Sequence, residues 1–304
     1  MHLTVTELTN RLVGSYAKVG GINHVDGKNL PSMTAIRGIT CDLLRLLFPG
    51  FFDEKPIHSS ELKVETAALM DSVLGRMEDE IYKSWEYAPP PEFNKSELRH
   101  RARDATMEFL SNLPQVRDAL QADTEAAFQG DPAALSKEEV IVSYPFIEAI
   151  AVQRLAHQLY LQKIPLIPRI MTEWAHSRTG MDLHPGAEIG SHFFIDHGTG
   201  TVIGETAKIG NHVKMYQGVG LVARSLSGGQ ALRGQKRHPT IEDHVTIYAN
   251  ATIVGGETTV GAGSTIGASV FLTQSVPPHS LVTIVSCDVR VTDKRFRAES
   301  DFQI

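Results

Sequence analysis

The sequence predicts an α+β protein: a helical N-terminal domain followed by a parallel β-helix of hexapeptide repeats with a protruding loop. Three observations predict it. Apolar residues in the first half recur at helical spacing. After Met181 an apolar residue returns about every six positions. Between Leu221 and Ile241 that repeat stops and a polar, glycine-containing stretch takes its place.

From Leu62 the apolar residues Leu69, Val73, Met77 and Ile81 fall on one helical face, with Glu and Lys between them. Pro89-Pro90-Pro91 ends this element, because proline supplies no N–H and restricts the residue before it. A second helix starts after Asn94 or Ser96 and runs to about Leu110. Asp131-Pro132 reads as an N-cap with proline in the first turn. Ser136 with Glu139 reads as a capping box. Phe146, Ile150, Ala151, Leu155 and Leu159 then mark another amphipathic helix. Residues 2–48 read as helix with weaker patterning.

The second half has a different period. Leu183, Ile189, Ile195, Ile203, Ile209, Met215 and Leu221 form one series. Ile241, Ile247, Ile253, Val260, Ile266 and Leu272 resume it. A step of about six fits neither 3.6 residues per turn nor simple alternation. It fits short strands joined by turns, one inward apolar residue per unit, stacked coil upon coil. The stretch from Arg224 to Lys236 reads as a loop leaving this scaffold, where function often resides. The expected division is 1–180 helical, 181–285 β-helix and 286–304 C-terminal tail.

Hydrophobic residues make up 42% of the 304 residues and charged residues 21%, an ordinary globular composition. The formal charge of -6 and the lack of a basic run argue against nucleic acid as a partner. Only Cys41 and Cys287 are present, so no disulfide framework is implied and a reducing compartment fits. The first residues lack a signal-peptide pattern, and no apolar run is long enough for a bilayer. These features indicate a cytoplasmic protein with no membrane partner.

Three segments carry a resemblance: Met181-Asp-Leu-His-Pro-Gly-Ala-Glu-Ile-Gly190, Ile195-Asp-His-Gly-Thr-Gly-Thr-Val-Ile-Gly-Glu-Thr206, and Lys236-Arg-His-Pro-Thr-Ile241. In these the sequence resembles the serine acetyltransferase family, over roughly residues 131–278. The resemblance implies a left-handed parallel β-helix. It implies transfer of an acetyl group from acetyl-CoA to the hydroxyl of L-serine, the first step of cysteine biosynthesis, with no metal. It also implies a homotrimer or a dimer of trimers, with active sites between neighbouring β-helices, and feedback inhibition by cysteine.

The chemistry explains why such residues are needed. A serine hydroxyl is a poor nucleophile at neutral pH, so attack on a thioester requires a base, and histidine titrates in the useful range. An ionic amino acid needs a carboxylate for its ammonium and a cation for its carboxylate. By resemblance, His197 is the general base. Asp182 hydrogen-bonds its other ring nitrogen, by the logic of a triad. Asp131 and Asp196 bind the serine ammonium, Arg237 the serine carboxylate, and His238 assists there or near the reacting oxygen. Backbone near Gly220, Val222 and Ala249 is the candidate contact for acetyl-CoA. His184 reads as a turn cap, His157 as packing or surface, and His192 and His212 as solvent-facing.

The sequence also departs from the family pattern. Val222 stands where glycine is expected, which touches the acyl-CoA path more than the serine site. The segment after Pro277-Pro278 lacks the usual Gly-Val-Pro-Ala, so contacts to the adenine end are not assignable. The chain ends in Ile304. In the family a terminal isoleucine inserts into O-acetylserine sulfhydrylase, and an apolar terminus with a free carboxylate is a plausible peptide ligand. Three rival readings stay open at this point. One is another hexapeptide O- or N-acyltransferase. Another is a non-catalytic scaffold of a cysteine synthase complex. The third is a zinc hydratase using His192 and His197 with His212 or His184.

Overall fold

In the computed structural model, residues 3–53, 55–91, 94–224 and 228–285 are described. Among the described residues, eight α-helices precede fourteen short strands. The helices are α1 (Val5–Lys18), α2 (Met33–Leu47), α3 (Leu62–Tyr87) and α4 (Leu98–Ser111). They continue as α5 (Leu113–Gly130), α6 (Lys137–Ser143), α7 (Pro145–Leu161) and α8 (Ile167–Thr179). α3 ends just before the proline run, and α7 begins on Pro145, where no N–H is missed.

Two local expectations change. Asp131 does not cap a following helix; it closes α5, and its Oδ1 accepts the Ala133 N–H at 2.9 Å. An aspartate carboxylate bonding the backbone two residues on makes a turn, which competes with helix initiation. The helix starts later, at Lys137, where Ser136 Oγ accepts the Glu139 N–H. Glu139 then reaches the Leu135 N–H at 2.6 Å, so the return bond of the box lands one residue early. α8 follows Pro165 and carries Pro168 in its first turn, so a reading that treats proline as a breaker passes over it.

The strands wind into a parallel β-solenoid of five coils with three faces. The first face holds β1 (Asp182–Leu183), β4 (Val202–Ile203), β7 (Gly220–Val222), β10 (Thr252–Val254) and β13 (Phe271–Leu272). The second holds β2 (Glu188–Ile189), β5 (Lys208–Ile209), β8 (Thr240–Ile241) and β11 (Thr259–Val260). The third holds β3 (Phe194–Asp196), β6 (Lys214–Tyr216), β9 (Thr246–Ile247), β12 (Thr265–Ile266) and β14 (Leu281–Val282).

The hexad residues are register partners. Leu183, Ile203, Leu221, Ile253 and Leu272 form one inward column. Ile189, Ile209, Ile241 and Val260 form the second, and Val276 bridges to Val260 below them. Ile195, Met215, Ile247, Ile266 and Val282 form the third. Most of these side chains are fully buried, so each coil covers the apolar face its neighbour cannot cover alone.

The helical part seats on the first coil through α5 and α7. Arg154 of α7 makes a two-pronged ion pair with Asp123 of α5, at 2.7 and 2.9 Å. The same guanidinium donates to the Ile189 and Gly190 carbonyls, and the Asp123 carboxylate accepts the Phe193 N–H at 2.9 Å. Phe146 meets Phe193 and Phe194 edge to face. The loop expected after Leu221 leaves between β7 and β8 and includes a 3₁₀ turn, Gly229–Leu232. Among the described residues no helix is long and apolar enough to cross a membrane.

Candidate active site

The longer hexad step, Ile195 to Ile203, forms the corner where the third face of the first coil passes to the first face of the second. His197 sits on this corner with φ +59°. Left-handed backbone recurs at solenoid corners, at His192, His212, His244, Asn250 and Ser269 among others. Here it reflects coil geometry and projects the side chain outward. The His197 side chain is 70% exposed, and its Nε2 lies 3.6 Å from Asp196 Oδ1, on a side chain only 12% exposed.

Asp131, Tyr144, Pro145, Phe146, Ile195, Asp196 and His197 enclose a cavity of about 230 Å³. Larger cavities of about 810 and 1040 Å³ lie among the helices and gather none of the motif residues. Asp131 is fixed at both oxygens, by the Ala133 N–H and by the Tyr144 hydroxyl at 2.5 Å. The Tyr144 bond first, then the backbone bond, holds the Asp131 carboxyl below its ordinary range, so it stays ionised. Lys214 Nζ stands 3.7 Å from Asp196 and donates to the Gly130 carbonyl. Two carboxylates and an imidazole therefore border one small cavity.

Asp182 stands apart from this arrangement. Its carboxylate makes no hydrogen bond to His197; its ionic neighbour is Arg169, at 3.9 Å. Glu173 and His176 approach the same carboxylate, and Arg169 also pairs with Glu173. Asp182 lies on an outer face of β1, whereas His197 projects from a corner one turn further along the chain.

Arg237 and His238 occupy a different corner, between the first and second faces, where the loop returns against residues 204–206. Arg237 pairs with Glu205, which also accepts from the Tyr160 hydroxyl at 2.8 Å. Thr206 Oγ1 accepts both the Arg237 and His238 N–H groups, at 2.9 and 3.0 Å. Lys236 Nζ reaches the Thr206, His238 and Pro239 carbonyls. His238 is 8% exposed, and a Cβ at Gly204 would fall on its ring, so only glycine admits it there.

The His238 tautomer follows from its partner. The Thr206 N–H donates to Nδ1 at 3.1 Å, so Nδ1 is the lone-pair nitrogen and the proton sits on Nε2. Burial, then the Arg237 charge, pushes this imidazole down to about 4. His184 is alike: its Nδ1 accepts the Gly186 N–H at 2.9 Å, capping the turn, and burial followed by Arg169 pushes it down to about 4. Histidines kept neutral in the fold bind fewer protons than the unfolded chain below about pH 6.5. Stability is therefore expected to fall as pH drops from about 6.5 toward 4 and to level off below. Urea midpoints across that range test it, and His184→Asn, whose side-chain oxygen replaces Nδ1, should flatten the curve.

His192 and His212 stack at 4.3 Å between ring centroids, and His212 and His244 at 4.7 Å. Stacked rings direct their lone pairs along parallel planes, and His197 stands on another corner. Among the described residues of the chain, His184, His192, His197 and His212 do not bring three ligand atoms within reach of one ion. His157 bonds the Pro185 carbonyl. The expected acetyl-CoA contacts are partly engaged within the solenoid. The Gly220 N–H donates to Ala251, while the Val222 and Ala249 carbonyls accept from Gly255 and Ser269. Val222 extends β7 by pairing with Val254. Ile304 lies outside the described residues. Sequence reasoning missed Tyr144, Lys214, and the roles of Glu205 and Thr206; the last two stood in the Gly-Glu-Thr motif and were legible there.

A helical domain seated on a hexapeptide solenoid, with charged clusters on its corners, places the chain among the acyltransferases of that architecture. No protein-family model matches the sequence. It is 44% identical over 226 residues to a plasmid serine acetyltransferase of Synechococcus elongatus, covering 70% of this chain and 69% of that protein. The Bacillus licheniformis serine acetyltransferase is 49% identical over 124 residues, and the chain spans 55% of its length. The crystal structure of Entamoeba histolytica serine acetyltransferase isoform 3 with cysteine superposes with a TM-score of 0.73 and 33% identity, over 94% of both chains. Soybean serine acetyltransferase complexed with serine gives 0.53 and 27%, over 83% of this chain and 96% of that one. The chain belongs to the serine acetyltransferase family.

Proposed function

We propose that the protein acetylates L-serine with His197 as general base. The observation that carries this is the convergence of Asp131, Asp196 and exposed His197 on one small cavity. The serine ammonium pairs with the two carboxylates, which sets its hydroxyl against the imidazole. His197 takes the hydroxyl proton as the oxygen attacks the acetyl-CoA thioester carbonyl. The tetrahedral intermediate collapses, the carbon–sulfur bond breaks, and the imidazolium returns the proton to the leaving thiolate. O-acetylserine and CoA result. Asp182 remains a candidate partner of His197, although its carboxylate stands nearest Arg169 here.

The serine carboxylate calls for Arg237, and the developing oxyanion calls for a neutral donor such as His238 Nε2–H. These two stand on another corner of the same solenoid. We infer a composite site, with Asp131, Asp196 and His197 from one copy and Arg237 and His238 from the next, as in a closed ring of copies. The E. histolytica relative crystallised with cysteine supports cysteine as a competitor at this site. The division into a helical unit, 1–180, and a catalytic unit, 181–285, fits this reading.

Mixing tests it. His197→Ala and Arg237→Ala are each expected to be nearly inactive in serine-dependent CoA-thiol release. Refolded together in equal amounts, they should recover about a quarter of wild-type turnover, because about one interface in four then carries both native halves. Mixtures as inactive as the separate variants would rule out the composite site.

A further inference from the structure

Helix α7 carries a tyrosine at each end. Tyr144 is its N-cap and Tyr160 lies in its last turn. The Tyr144 hydroxyl donates to Asp131 Oδ2 at 2.5 Å, on the corner that holds His197. The Tyr160 hydroxyl donates to Glu205 Oε1 at 2.8 Å, and Glu205 holds Arg237 on the other corner. One helix of 17 residues, roughly 25 Å long, thus reaches both half-sites.

The helix is built to hold its ends still. Its inner residues Ile147, Ile150, Val152, Leu155 and Leu159 are fully buried. Gln153, Arg154 and His157 bond the Ala187, Ile189, Gly190 and Pro185 carbonyls along the first coil. At the far end the Tyr160 ring stands edge-on to His184, with centroids 6.0 Å apart. A Cβ at Gly186 would strike both the Tyr160 ring and Glu205, so glycine leaves the space this contact needs. Both phenols are pushed up to about 12. The Asp131 bond is the main cause for Tyr144, and burial followed by the Glu205 bond for Tyr160. Each therefore stays a donor at any working pH.

We propose that Tyr144 and Tyr160 are positioning residues for serine, and that α7 is the strut by which the helical domain sets the ammonium half of one composite site and the carboxylate half of the adjoining one. This rests on the serine site proposed above. Tyr144 aims the ammonium-binding carboxylate. Tyr160 acts one step further out, fixing Glu205 so that the Arg237 fork faces the substrate. A bond that orients a charged group changes how well the substrate ion is held, more than the chemistry at the hydroxyl.

The test measures Tyr144→Phe and Tyr160→Phe in the full chain, beside Asp131→Asn, Glu205→Gln and Arg237→Ala. Each tyrosine variant is expected to raise KM for serine about 10-fold, the loss of one hydrogen bond to a charged group. The acetyl-CoA KM should stay at the wild-type value, kcat within about twofold to threefold, and Tm within a few degrees. Tyr160→Phe should add little to Glu205→Gln, while Tyr144→Phe should multiply with it, because only the first pair shares a bond. An unchanged serine KM in either variant overturns that residue's role. Parallel loss of kcat, both KM values and Tm makes the tyrosine merely structural and overturns it too. If Asp131→Asn and Arg237→Ala themselves leave the serine KM unchanged, the serine clamp is misassigned and the inference falls with it. That result is distinct from one in which they raise it and the tyrosine variants do not.

Discussion

His197→Ala is expected to lower serine-dependent kcat by about 10²–10⁴, the usual contribution of a positioned general base, at a stability cost of no more than roughly 1 kcal/mol. The two halves have one structural cause. The ring projects from a solenoid corner and is 70% exposed, so its removal opens no cavity. The backbone it leaves is left-handed at φ +59°, which alanine tolerates less well than histidine, at a cost of roughly 1 kcal/mol. Stopped assays of CoA-thiol release beside thermal melts decide it. A variant retaining more than about a tenth of wild-type turnover would sink the base assignment. A variant that loses turnover because it has melted would leave a Tm drop of many degrees, which the exposure of the ring argues against.

The second large effect concerns folding. Asp123→Ala is expected to destabilise the protein by about 3–5 kcal/mol, because it strands a buried guanidinium. Arg154 is held by two bonds to Asp123 and two to solenoid carbonyls, and the Asp123 side chain is fully buried. Asp123→Ala also orphans the Phe193 N–H at the mouth of the first coil. Replacing both charges by apolar residues should recover part of the loss, since the pair itself contributes little net stability once desolvation is counted. Urea unfolding of the single and double variants measures both terms. A single-variant loss below about 1 kcal/mol would show that the helical part does not depend on this pair for its seat.

The solenoid was legible residue by residue, because its repeat is local. Every inward hexad residue from Leu183 to Leu272 takes its expected place, and the step at Ile195 to Ile203 marks the corner where His197 projects. Helices with clean apolar periodicity, α3 and α7, were legible for the same reason. α8 was hidden by prolines that its first turn tolerates. The turn at Asp131 was misread because one aspartate carboxylate can cap a helix or close a turn, and only its later bonds choose between them.

By itself the sequence determined the coil, the loop, and the residue types that serine acetylation needs, since period and motif are properties of neighbours along the chain. Tertiary structure alone decided which charges meet. It set Asp131, Asp196 and His197 on one corner and Arg237 and His238 on another. It turned Asp182 toward Arg169, fixed the His238 tautomer through Thr206, and brought Tyr144 to Asp131 and Tyr160 to Glu205. The Tyr144–Asp131, Arg237–Glu205 and Tyr160–Glu205 bonds join residues 13 to 45 positions apart, and hydrogen-bond partners at such separations are selected by the packing of helix on solenoid, which no local pattern encodes.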